Sequence, residues 1–264
     1  MRRILNQFQN FHAALIQRWI VSFRSRPVQI NAESVMIFAA HQDDETLGCG
    51  GTIALKRERQ AKVGVVFLTN GQLGASACLA ARDVTAIRHQ EAIKALELLG
   101  VPSSDIHFLD QPDGSLEQLN EHQAQQVIDT IIQLLNRFQP VEVYVHYRKD
   151  RHKDHEATYD LVCAAIAQSG VRVILREYPI RLLWQAPLFI DLKLRELSCA
   201  YRVAIHSVQD RKKRAIECHK SQIDILPRGF PSHFSSPYEI FFEAEPEWQG
   251  LNTARRIASN RDCK

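Results

Sequence analysis

The chain is expected to be an α/β protein with a mostly parallel sheet and helices on both faces, and three observations carry that expectation. Short, wholly apolar runs recur: SVMIFAA at 34–40, KVGVVFLT at 62–69 and VEVYVH at 141–146. Each is followed by a longer stretch of helical periodicity, and glycine, proline or asparagine marks most junctions. A run that is apolar at every position is buried on both faces, as strands of a parallel sheet are. The implied architecture is a Rossmann-like three-layer sandwich.

Taken in order, Ser34 to Ala40 reads as the first buried strand and Gly48 to Arg59 as a helix opened by glycines. Lys62 to Thr69 is a second strand, with Asn70-Gly71 as a turn. Asp83 to Leu99 is an amphipathic helix stopped by Gly100 and Pro102. Ile106 to Leu109 is a brief strand, Leu119 to Phe138 a helix and Val141 to His146 a strand. Glu156 to Gln168 follows as a helix and Val171 to Arg176 as a strand. Beyond Pro179 the pattern loosens, with strands expected at Leu188 to Leu192 and Glu239 to Phe242. With no internal repeat or linker, residues 33–264 read as one domain.

Residues 1–26 form an amphipathic helical extension. Met1 to Ala32 holds five arginines and no acidic residue. Ile4, Leu5, Phe8, Phe11, Leu15, Ile16, Trp19 and Phe23 share one helical face, opposite Gln7, Gln9, Asn10, Gln17 and Arg24. Pro27 ends the helix. Polar interruptions argue against a secretory signal. Three arrangements remain: packing on the domain or on a sister subunit of a homo-oligomer, lying on an anionic membrane through residues 4–23, or serving as a transit peptide.

A length of 264 residues suits one α/β domain, and 45% hydrophobic with 24% charged residues suits a soluble one. A net charge of +3 is too small to imply nucleic acid as a partner. The densest basic cluster, Arg211-Lys212-Lys213-Arg214, reads as a solvated helix face. The six cysteines, Cys49, Cys78, Cys163, Cys199, Cys218 and Cys263, form no CxxC pair and read as free thiols of a reducing compartment. No apolar run is long enough to span a bilayer, so the expected location is cytoplasmic or peripheral at a membrane.

Two constellations carry chemistry. The first strand runs into His41-Gln42-Asp43-Asp44-Glu45 and then Gly48-Cys49-Gly50-Gly51. Carboxylates this dense repel unless a cation or a buried proton compensates, and imidazole with carboxylate suits Zn²⁺. A dinucleotide fingerprint fails, because position 53 is Ile53 and an acidic loop repels a pyrophosphate. The competing plain reading is an acidic helix cap. The second is Asp150-Arg151-His152-Lys153-Asp154-His155-Glu156, after the strand ending at His146. His152 and His155 share a face in a helical first turn, so one can ligate while the other stays near as an acid. Asp150 or Asp154 can hold a histidine tautomer; here too a charged helix cap is the plain alternative. Both groups follow buried strands and can meet at one sheet edge. His41 and Asp44 make two ligands and His155 a third, the open arrangement of a catalytic zinc site.

These residues resemble the LmbE-like, or PIG-L, family of zinc N-acetylglucosaminyl deacetylases. Ala40-His41-Gln42-Asp43-Asp44-Glu45 through Gly51 matches A-H-P-D-D-E-x-x-x-G-x-G-G, and Asp150 to His155 matches D-x-H-x-D-H. Weaker echoes are Thr69-Asn70-Gly71, Arg88 with Glu91, Asp113-Gly114, and His219, Ser221 and Gln222. The resemblance implies zinc, with ferrous iron as the alternative, on His41, Asp44 and His155. It implies Asp43 as general base to water attacking the amide, and His152, supported by Asp154, on the oxyanion side. Arg88 is implied as a substrate contact, and Arg181, just past a strand, is expected to reach the pocket as a second substrate-binding residue. The implied substrate is a small or lipid-linked N-acetyl amino sugar. Gln42 departs from the family's proline, which removes a fixed φ from the turn. The rival expectations are a zinc amidohydrolase of non-sugar amides and a binding module with a residual metal site. No G-x-S-x-G elbow favours a serine hydrolase.

Overall fold

The computed structural model describes residues 14–74, 81–184, 200–223, 225 and 230–243. The strands are β1 (Arg26–Val28), β2 (Val35–Ala39), β3 (Val63–Thr69), β4 (Ile106–Gln111), β5 (Glu142–His146), β6 (Ile174–Tyr178), β7 (Ala200–Ala204) and β8 (Tyr238–Glu243). They form one sheet in the order β1-β7-β8-β6-β5-β2-β3-β4. Every pairing is parallel except those of β8, which runs antiparallel between β6 and β7. The main helices are α1 (Asp44–Glu58), α2 (Ala81–Leu99), α3 (Glu121–Phe138), α4 (Lys153–Ser169) and α5 (Gln209–Ile216).

Strand pleating divides the core. In β2, Val35, Ile37 and Ala39 join a cluster with α1, α2 and α5, while Met36 and Phe38 join another with α3 and α4. Helices therefore cover both faces, which is why the strands read as unbroken apolar runs. The end of α3 is packed under Gly64, where an added Cβ would meet Phe138 at 2.8 Å. Its start is set by a capping box: the Asn120 side chain accepts from the Gln123 amide and Gln123 reciprocates.

Three differences from the expected elements have physical causes. Helix α1 starts at Asp44, four residues before the expected Gly48, because its acidic first turn suits a helix N-terminus. The short strands β1 and β7 were not expected: Arg-Pro-Val is too short to show a pattern, and Pro27 is tolerated because β1 is the sheet edge. The third is the amphipathic helix. Its described part, 14–24, ends in a π turn that shifts the phase of Phe23; Ile4, Leu5, Phe8 and Phe11 lie outside the described residues. Ile16 and Ile20 are buried, whereas Leu15 and Phe23, expected on the same face, are exposed. The expected strand at Leu188 to Leu192 lies outside the described residues, as do Cys78, Cys199 and Cys263; Cys49, Cys163 and Cys218 are free thiols.

The glycines of α1 permit close packing and are not a phosphate cradle. An added Cβ at Gly48 would meet Tyr178 Cδ2 at 2.4 Å, and one at Gly51 would meet Ile205 at 2.6 Å. The basic cluster in α5 is only partly solvated. Lys212 is buried, donating to Glu239 at 2.7 Å and to the Leu47 carbonyl at 2.7 Å. Glu239 in turn accepts from the Gly51 and Thr52 amides. Gly48→Ala should therefore destabilise the fold despite its better helix propensity of about 1 kcal/mol. Overpacking a buried ring costs about 1–3 kcal/mol, here toward the upper end. A thermal melt should show a drop of several degrees; an unchanged or raised midpoint would contradict this packing.

Candidate metal centre

After β2 the chain continues to β3 on one side, then returns by α3 to β5 on the other. The strand order therefore reverses between β2 and β5, the place where open α/β sheets bind ligands. The two loops leaving these strands hold His41 to Asp44 and Asp150 to His155.

The loops meet. Asp44 Oδ2 lies 3.2 Å from His41 Nδ1 and 3.4 Å from His155 Nε2. The rings of His41 and His155 have centroids 5.4 Å apart, with His152 4.4 Å from His155 and 5.0 Å from His41. The ligating atoms of His41, His152 and His155 fall within 4.8 Å of one another.

Each ligand candidate is held from behind. His155 Nδ1 donates to Asp150 Oδ2 at 2.6 Å. Asp150 is itself buried and accepts from the backbone amides of Ile180, Arg181 and Leu182 at 2.9–3.0 Å. His41 Nε2 faces Asp113 Oδ1 at 3.2 Å and Asp154 Oδ2 at 3.3 Å. Asp154 is fixed by the amides of Gly114 and Leu116. The Asp150 alternative is thus the one His155 uses. Asp154, expected behind His152, lies against His41 instead, because the first turn of α4 points it toward the loop after β4. Among the described residues, His152 Nδ1 has no hydrogen-bond partner.

Proton positions follow. Burial pushes the His155 imidazole down to about 4, against the pull of Asp44, so it is neutral at pH 7. With its proton on Nδ1 toward Asp150, the Nε2 lone pair faces the Asp44 carboxylate. Two lone pairs turned toward each other are the arrangement of donors that share a cation. In tetrahedral zinc sites neighbouring ligand atoms lie about 3.3 Å apart, and the Asp44 contacts to His41 and His155 match that spacing. His146 offers a second set with Asp44 and His155, but its Nε2 accepts from the Ala40 amide at 2.9 Å, which occupies the lone pair.

Burial disfavours the charged form of His41, yet the carboxylates of Asp113, Asp154 and Asp44 outweigh it and hold its imidazole well above the usual value. Binding a cation through Nδ1 must displace that proton. Metal affinity should therefore rise with pH, about tenfold per unit while His41 stays protonated in the ion-free protein. Calorimetry in buffers of different ionisation enthalpy should record about one proton released per ion. Buffer-independent heats would contradict the assignment.

Asp43 is beside this group, and burial pushes its carboxyl up to about 7, with the Arg88 guanidinium opposing. Arg88, expected to touch substrate, is buried and donates to Asp43 Oδ1 at 3.3 Å and to the Gln42 and Gly71 carbonyls. Burial, and repulsion from His155 and His41 in their protonated forms, pushes His152 down to about 3, so it is a neutral N–H donor and not an imidazolium. Arg181, whose amide donates to Asp150, adds a positive charge that weakly disfavours protonation of His152 and His155.

Sequence reasoning missed the parts played by Asp113 and Glu45. Glu45 is wholly buried, accepts from the Asp43 amide and the Thr46 hydroxyl, and is pushed up to about 8 by burial. The signal for Asp113 was the Asp-Gly echo. Two of the other echoes meet, Ser221 donating to Glu91, while Gln222 donates to the Gly74 carbonyl. Gln42 donates to the Thr69 carbonyl at 2.5 Å, so a side-chain tie stands where the family has a proline ring.

Fold and site together define an α/β sandwich with a His/Asp centre able to hold a metal ion at its topological switch point. Residues 36–166 match the family model described as PIG-L, GlcNAc-PI de-N-acetylase, so this stretch is similar to a PIG-L/LmbE family domain. It is 30% identical over 141 residues to a probable N-acetyl-alpha-D-glucosaminyl L-malate deacetylase 2 of Bacillus anthracis, covering 52% of this chain and 61% of that protein. It is 27% identical over 207 residues to a 4-oxalmesaconate hydratase of Pseudomonas putida, covering 72% of this chain and 74% of that one. An N,N'-diacetylchitobiose deacetylase from Pyrococcus horikoshii shares the fold, with a TM-score of 0.63, 21% identity, and coverage of 85% of this chain and 88% of that one.

Proposed function

We propose that the protein is a metal-dependent N-deacetylase that hydrolyses the acetamide of an N-acetylglucosamine-type conjugate to acetate and the free amine. The observation that carries this reading is the Asp44 carboxylate oxygen placed between His41 Nδ1 and His155 Nε2, with Asp43 at its side. The donor set fits zinc, which His41, Asp44 and His155 would hold while leaving a position open. When bound, such an ion acidifies water and polarises a carbonyl oxygen.

The chain's own residues supply the proton handling. Asp43 takes the proton from the water that attacks the acetyl carbon, and Arg88 keeps its carboxylate turned to the site. His152 offers an N–H to the oxygen on which negative charge develops. The C–N bond then breaks, and the departing amine takes the proton collected by Asp43. His41 and His155 are kept in one orientation by Asp113 with Asp154 and by Asp150.

The hydratase relative favours a second reading, because adding water to an activated double bond makes the same demand for a base beside a cation. Product analysis separates the two. The metal-loaded protein should release acetate from N-acetylglucosamine conjugates faster than from simple acetyl amides, and metal-stripped protein should release none. Hydration of unsaturated keto acids without acetate release would replace deacetylation with the second reading.

A further inference from the structure

We propose that the helix over residues 14–24 is a docking surface for an anionic lipid bilayer. This goes beyond the deacetylase reading and does not depend on it, because docking is measurable without substrate.

The helix has two unlike sides. Ile16 and Ile20 belong to one buried cluster with Tyr147, Leu182, Leu183, Ala200, Ile240 and Phe242, so this side is fixed to the domain. The other side carries Leu15 at 49% exposure and Phe23 at 78%, with Arg18 and Arg24 exposed beside them. The Arg24 guanidinium sits 5.1 Å from the centroid of the Trp19 ring. Among the described residues, the acidic neighbour is Glu243, an exposed residue 3.9 Å from Arg26.

Charge chooses the occupant. Five arginines and no aspartate or glutamate occur before Glu33, so the sequence feeding this surface has one sign. A second copy docked on the same face would set arginine against arginine. An anionic bilayer offers the complementary charge and a layer that accepts Leu15 and Phe23. The fixed side also reaches the metal centre: Leu182, whose amide donates to Asp150, lies in the short helix Arg181–Trp184 and shares the buried cluster with Ile16 and Ile20, and Asp150 holds His155. A docked protein would therefore have its catalytic loops anchored through the same element that meets the lipid.

Deleting residues 1–26 is a poor test, since it strips Ile16 and Ile20 from the cluster. The better test uses the full chain and two double variants, Leu15→Ser with Phe23→Ser and Arg18→Gln with Arg24→Gln. Co-sedimentation is measured with vesicles of phosphatidylcholine alone and mixed with phosphatidylglycerol. The full chain should bind the mixed vesicles, bind the neutral ones weakly, and detach as salt rises. Each double variant should lower partition about tenfold or more while its thermal melt stays unchanged. Failure to bind anionic vesicles, or binding that survives both double variants, would overturn the proposal. So would a dimer in solution that the Leu15 and Phe23 changes dissolve, which would assign the face to a second copy.

Discussion

Asp43→Asn should retain a full equivalent of metal and lose about 10²–10⁴-fold in turnover, the usual contribution of a positioned general base. The substitution is close to isosteric, and an amide oxygen can still accept from Arg88, which donates to Asp43 Oδ1 at 3.3 Å. The loss would therefore report the missing base and not a displaced loop. The sign of the pH dependence follows from the same residue. Its carboxyl is pushed up to about 7 by burial, and a base acts only when deprotonated. Activity should fall as the pH drops below that value, and a neighbouring cation would move the limb lower. Asp43→Asn should abolish the limb in any residual activity. Near-normal turnover in this variant would remove Asp43 as the base.

His155→Ala should lower metal affinity on the order of 10³-fold, because one of three protein ligands is gone. Asp150→Asn should cost less, about 10–100-fold, because it disturbs only the orientation of the ligand. The ranking matters more than either figure. His155 Nδ1 meets Asp150 at 2.6 Å while Nε2 faces Asp44, so the two residues act in series on one imidazole. His146→Ala should leave metal affinity nearly unchanged, since its Nε2 is engaged by the Ala40 amide. Competition titrations against a chelator of known affinity would give the order. An Asp150 effect equal to that of His155, or a large loss from His146→Ala, would redraw the centre around a different set.

The interior strands and the ligand candidates were legible in the sequence for one reason: buried parallel strands are apolar at every position, and polar residues just past them sit at a known edge of the sheet. Val35–Ala39, Val63–Thr69 and Glu142–His146 were bounded to within a residue or so. Arg26–Val28 and Ala200–Ala204 were not, because an edge strand of three residues and one interrupted by Arg202 carry no such pattern. The helix over 14–24 was recognised, but its exposed face was not, since a π turn cannot be read from a 3.6-residue wheel.

Within the site, partners distant in sequence were the illegible part. Asp113 reaches His41 from a loop some seventy positions away, and only the three-dimensional path of β4 brings it there. Asp154 is one residue from His155 yet serves His41, because adjacent helical residues point in different directions. Lys212 looked like one more surface charge in a basic run, but Glu239 and the Leu47 carbonyl take it into the interior. Arg88 is a substrate contact by motif alone, whereas its burial places it on Asp43 and two carbonyls.

The most direct measurement is a crystal structure of zinc-loaded protein with the ion located by anomalous scattering. The account predicts one strong peak bonded to His41 Nδ1, Asp44 and His155 Nε2, with Asp43 close by but not a ligand. A peak held by His146, a peak away from both loops, or no peak at saturating zinc would contradict it.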